Sequence, residues 1–135
     1  MRSFMIIALT LSSCAAPAPP TWSVEGEELL SNDGAWRIRW RSEPAEIPLN
    51  APFTIEAQAL PADGAHPDRD MALAVDAAMP HHRHGMNRLP RMVPLGGGHF
   101  RAEGMLFHME GRWELYFDVS DGPMTERGQT EVFLE

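Results

Sequence analysis

Trp113-Glu114-Leu115-Tyr116-Phe117-Asp118-Val119-Ser120-Asp121-Gly122-Pro123 is the stretch that decides the fold class. Large apolar side chains recur at every second position from Trp113 to Val119, the period of a half-buried β-strand. The Asp-Gly-Pro cluster that follows is turn chemistry. Outward from this strand the same period returns. Trp36-Arg37-Ile38-Arg39-Trp40-Arg41 alternates apolar and charged residues. Phe53, Ile55, Ala57 and Ala59 form a third stripe, and Leu73, Val75, Ala77 and Met79 a fourth. A short strand near 91–95 leads into Gly96-Gly97-Gly98, a tight reversal, and Phe100, Ala102, Gly104 and Leu106 make the next stripe. Gly128–Leu134 closes the chain. Helical periodicity is missing, and twelve prolines, mostly between strands, exclude long helices. The expected fold is all-β: an immunoglobulin-like antiparallel β-sandwich of about seven strands within a single domain, residues 22–135. Residues 22–32 fit either a first edge strand or a disordered arm.

The amino terminus reads differently. Arg2 precedes an apolar run from Phe4 to Leu11, and small residues follow. This is the layout of a secretory signal, far shorter than the roughly 20 residues of a membrane-spanning helix. Leu11-Ser12-Ser13-Cys14 resembles a bacterial lipobox, and Cys14 is the only cysteine, so no intramolecular disulfide competes for it. Residues 1–13 are read as a lipoprotein signal peptide, and 14–21 as a lipidated Cys14 with a solvated Pro/Ala tether. The expected location is exported and membrane-anchored on the periplasmic side. By likeness to lipoproteins generally, Ala15 favours the outer membrane where two membranes exist.

Charge narrows the partners. The chain has no lysine, and its formal net charge is −8. Phosphate binding needs a basic footprint, so nucleic acid is excluded as a partner.

The chemistry concentrates in Met79-Pro80-His81-His82-Arg83-His84-Gly85-Met86. Imidazole binds copper, zinc and nickel, while thioether sulfur selects soft Cu(I), so the mixture without thiolate favours copper. In extended backbone His82 and His84 project to one side, and Gly85 permits a bend that brings Met86 back. With neighbouring strands antiparallel, the loops at 42–52, 80–90 and 108–112 emerge at one end. That adds His108 and Met109 to the candidate ligands Met79, His82, His84 and Met86. Three have a structural competitor: Met79 continues an apolar stripe, His84 suits a loop-backbone bond, and Met109 suits packing under the loop.

The loop motif, with Gly98-His99-Phe100-Arg101-Ala102-Glu103-Gly104 and Met109-Glu110-Gly111-Arg112-Trp113-Glu114-Leu115 after it, resembles the YtkA-like domain. The likeness spans roughly residues 48 to 134. It implies a small exported immunoglobulin-like domain in a copper-handling or respiratory-oxidase-assembly setting. It carries Met79, His82, His84 and Met86 onto the family's loop motif, while Glu110 departs from the proline of many relatives. The expected function is therefore a periplasmic copper-binding lipoprotein that stores, senses or delivers the ion. Its partner would be a copper-accepting or oxidase-assembly protein. The competing reading is a non-metal module docking on an envelope complex. No nucleophile–base pair or phosphate-cradling loop suggests an enzyme.

Overall fold

The computed structural model describes residues 15–135; the predicted signal segment and Cys14 lie outside the described residues. Among the described residues nine strands form: β1 (Glu27–Leu30), β2 (Trp36–Glu43), β3 (Phe53–Pro61), β4 (Ala72–Met79), β5 (His84–Gly85), β6 (Arg91–Gly96), β7 (His99–Met105), β8 (Gly111–Asp121) and β9 (Met124–Leu134). One antiparallel sheet runs β1-β2-β3-β7-β6 and the other β5-β4-β8-β9. The two faces that meet carry the predicted stripes. Ile38, Ile55 and Ala102 come from one sheet and Val75, Leu115, Phe117 and Val119 from the other, each 3 % exposed or less. A β-sandwich results because each alternating strand has one face to hide and finds it against the other sheet.

The expected count of seven is two short. β5 is a two-residue strand, below the length at which alternation can register. β1 reads Glu-Glu-Leu-Leu and sits at a sheet edge, where only Leu29 leans on the core. Its presence makes β2 an interior strand. Arg37, Arg39 and Arg41 therefore do not guard an edge; they pair across strands, with Glu28 taking Arg37 and Arg39, and Glu56 taking Arg41.

A second difference lies in β7. Phe53 pairs with Met105 and Thr54 with Glu103, which leaves Gly104 without a cross-strand partner. Gly104 has φ +82°, the left-handed value that favours glycine, and the extra residue is a β-bulge. Beyond it the parity inverts. Met105 and Phe107 point into the core with no exposure, while Leu106, expected to face inward, is half-buried on the other side.

The register fixes the two poles of the sandwich. Phe53 opposite Met105 and Ala78 opposite Glu114 place the loops 42–52, 80–90 and 106–110 at one pole, as the strand directions predicted. The Asn50 amide donates to the Phe107 carbonyl across it, at 2.9 Å. The chain reaches β1 from the other pole. There the His66 Nε2 lies 2.7 Å from the Ala18 carbonyl oxygen. Gln58, 2 % exposed, accepts from the Ser23 amide and donates to the Thr21 and Gly97 carbonyls. Trp22 lies under the Arg39 guanidinium at 4.4 Å, a cation–π contact. Ala15 to Pro19 are exposed, and from Thr21 onward the segment is seated on the β2–β3 face.

Tyr116, on the outer face of β8, gives a direct readout of this packing. Burial pushes its phenol up, and the bond its hydroxyl donates to the Glu114 carboxylate (2.7 Å) adds to the rise, to about 12. It is the only tyrosine, so an absorbance titration reads it alone. The expected midpoint in the folded protein is near 12, against about 10 for an unperturbed tyrosine. Because the native state holds the proton more tightly, stability is full below about pH 10 and falls between there and about 12. A folded midpoint at the unperturbed value would contradict the burial of the ring.

Candidate metal centre

The pole with three loops gathers four of the six histidines. After β4, Pro80–His82 form one turn of 3₁₀ helix, which Pro80 favours by fixing φ at the first position. The extended backbone expected at His82 is thus replaced by a tight turn. The reversal also falls elsewhere: Arg83 takes φ +57°, and Gly85 lies within β5. Met79 pairs in register with His84, and Ala78 with Gly85. Residues directly opposite share a face, so His84 turns inward on the same side as the buried Met79. From the other sheet, the inverted parity after Gly104 buries Phe107 and brings His108 to the mouth of the sandwich.

The rings form a row. His81 and His82 have centroids 5.7 Å apart, His82 and His84 5.8 Å, and His84 and His108 5.0 Å. Trp113 is the floor. It stands edge-on to His84 at 5.9 Å and to His108 at 5.5 Å, and stacks on Phe107 at 4.4 Å. Its indole N–H donates to the Met109 carbonyl at 3.0 Å, which pins the 108–110 loop. Gly111 follows with φ +113°, and a Cβ there would come 3.3 Å from the Met79 Cε. The positive φ favours glycine at that step, so the Met109-x-Gly111-x-Trp113 spacing has a backbone cause.

Hydrogen bonding separates the histidines. His81 is exposed and taken up by Arg112, whose guanidinium lies 3.0 Å from its Nδ1 and also pairs with Glu131. His82 is exposed. His84 Nδ1 lies 3.1 Å from the Gly85 carbonyl oxygen. A carbonyl only accepts, so Nδ1 is the donor there, and in the neutral ring Nε2 would keep its lone pair. The His84 Nε2 and the His108 Nδ1 are both buried and have no hydrogen-bond partner among the described residues. Such orphans are rare, because each forfeits about 1–3 kcal/mol of desolvation.

The predicted ligands divide accordingly. His84 and His108 are brought together, their ring centroids 5.0 Å apart and each with one buried, unpartnered nitrogen. Met79 is 1 % exposed and belongs to the core beneath Gly111. Met86 packs partly against the core, its amide donating to the Ala77 carbonyl at 3.3 Å. Met109 is at the surface, 36 % exposed. Among the described residues no three His, Cys, Asp or Glu side chains converge to hold an ion. Any ion here would take two imidazoles and turn to thioether or carbonyl for more.

The donor set can be tested for fit. Two imidazoles sharing one ion, at about 2.0 Å from each nitrogen and with ring radii of about 1.1 Å, keep their centroids within about 6.2 Å. The His84–His108 pair meets that limit at 5.0 Å. A metal-binding histidine usually donates its second nitrogen to a carbonyl or carboxylate, which is the arrangement at His84. The pair therefore lies within the distance bound for sharing a soft or borderline cation.

The sequence did not reveal Trp113 as the floor of this site, although its inward parity beside the loops is a usable signal. It gave no sign of Arg112 holding His81, which depends on the register of β8 with β4.

No family profile matches the chain, and no curated protein or solved structure matches it either. The likeness to YtkA-like domains rests on the motif residues themselves.

Proposed function

We propose that this chain is a copper-binding lipoprotein of the periplasmic side, anchored through Cys14, which holds an ion between His84 and His108 and hands it on. The observation that carries the reading is the pair of buried, unpartnered imidazole nitrogens on rings 5.0 Å apart. Two buried imidazole nitrogens without partners, at a cost to stability, suit a cation that supplies what they lack. Met109, the surface thioether of the same pole, tilts the choice toward Cu(I) over zinc. His84 and His108 would be the nitrogen ligands, Trp113 would exclude water from below, and the Gly85 carbonyl would orient His84. The proposed role is holding and transfer, without covalent chemistry, and the likeness to YtkA-like domains suggests an oxidase-assembly acceptor.

Calorimetric titration of the metal-free protein with Cu(I) and with Cu(II), with Trp113 fluorescence followed in parallel, tests this. One equivalent bound with quenching is the expected result, and quenching should vanish in Trp113→Phe. Millimolar or weaker binding of both ions would sink the copper reading.

A non-metal docking module is favoured by a different observation. Leu89 is 88 % exposed on the same loop, next to exposed Arg88 and close to exposed Arg83. An apolar side chain flanked by arginines suits a protein contact. In that reading His84 and Met86 merely shape the loop.

A further inference from the structure

The row of rings does more than surround one position. His82, His84 and His108 run from the exposed turn to the two rings with buried nitrogens, with centroid separations of 5.8 Å and then 5.0 Å. Both steps are inside the distance at which two imidazoles can share an ion, about 6.2 Å. Yet the three rings do not converge as one cage among the described residues. The arrangement is two overlapping pairs with His84 common to both. His81 stands next in line, but Arg112 occupies it.

From this we infer that His82 is a relay ligand through which the cation passes between solvent, or an acceptor protein, and the inner His84–His108 pair. The inference rests on the copper reading above and adds a direction of travel. In the inward step, Cu(I) held by His82 and His84 gains the His108 lone pair and loses that of His82. Transfer outward is the reverse, with a ligand of the acceptor then replacing His84. No bond other than the coordinate ones changes, and the oxidation state is constant. His82 is exposed at the tip of its 3₁₀ turn, so an acceptor can approach it without the sandwich opening.

The test separates rate from affinity. The mature protein and a His82→Ala variant are loaded with one equivalent of Cu(I), and transfer to excess bicinchoninate is followed by stopped flow. Equilibrium affinity is measured by competition with the same chelator. His82→Ala is expected to slow transfer at least tenfold while changing affinity less than threefold. The side chain is exposed, so the variant should fold as wild type does. Equal transfer rates would overturn the relay, and so would an affinity loss beyond threefold, which would make His82 a holding ligand. His81→Ala should transfer within twofold of wild type; a tenfold slowing there would move the path to the outer ring and overturn the assignment. Failure of the underlying reading looks different: a His84→Ala/His108→Ala double variant would then bind Cu(I) as tightly as wild type.

Discussion

Replacing His84 and His108 together with alanine is expected to weaken Cu(I) binding by at least a hundredfold, about 2.7 kcal/mol. Altering a partner that merely orients a metal-binding histidine already costs about 10- to 100-fold. Removing both leaves the exposed His82, His81 held by Arg112, and thioethers, two of them packed against the core. Competition titration checks the loss. A companion measurement separates a ligand from a structural histidine. The His108 Nδ1 is buried without a partner, so His108→Phe removes an uncompensated group while keeping a ring against Trp113. The metal-free protein should then gain about 1 kcal/mol of stability while losing copper. If His108 instead served the fold, the same substitution would lower the melting temperature.

The second large effect is on stability, and it distinguishes the observed strand phase from the phase expected of the sequence. Phe107→Ala is expected to cost about 3–5 kcal/mol, the range for emptying a buried aromatic position. Phe107 has no exposure and lies between Trp113, stacked at 4.4 Å, and Phe53, edge-on at 5.0 Å. Its removal would leave a cavity beneath the His84–His108 pair, between Trp113 and Phe53. Leu106→Ala, on the opposite face and half-buried, should cost less than about 1.5 kcal/mol. Urea denaturation of both variants checks the order. A reversed order would mean that β7 runs through Gly104 without a bulge.

That pair of residues also marks where the sequence stops being legible. Seven strands could be read because Trp36–Trp40, Phe53–Ala59 and Trp113–Val119 alternate without interruption, and alternation is the direct imprint of a two-faced sheet. Gly104 breaks the imprint: a bulge adds one residue and flips every later side chain, and Gly104 looks like any other small residue in a stripe. β5 was beyond reach for another reason. Two residues carry no period, and His84–Gly85 pairs with β4 only because the turn at Pro80–Arg83 returns the chain at the right height. The loops of the site could be placed on one pole because strand direction is simple bookkeeping. Which histidines matter could not be read, since that depends on hydrogen bonds. His81 meets Arg112 from a strand 31 residues on, whereas the orphaned nitrogens of His84 and His108 are a property of the closed core. Met79 and Met86 were eligible ligands by composition, and burial assigned them to packing.

The seating of the first residues on the far pole sets how the domain would stand at a membrane. The Ala18 carbonyl meets His66 at the end opposite the histidine loops, so an acyl chain on Cys14 would hold the sandwich from beneath. β8 runs most of the height between the poles with eleven residues, about 36 Å at about 3.3 Å each. The histidine row would then stand several Debye lengths, each about 8 Å at physiological salt, above the lipid headgroups. At that height the charge of the bilayer has no say in which cation arrives, and an acceptor protein would have to reach a comparable distance from its own membrane to meet it.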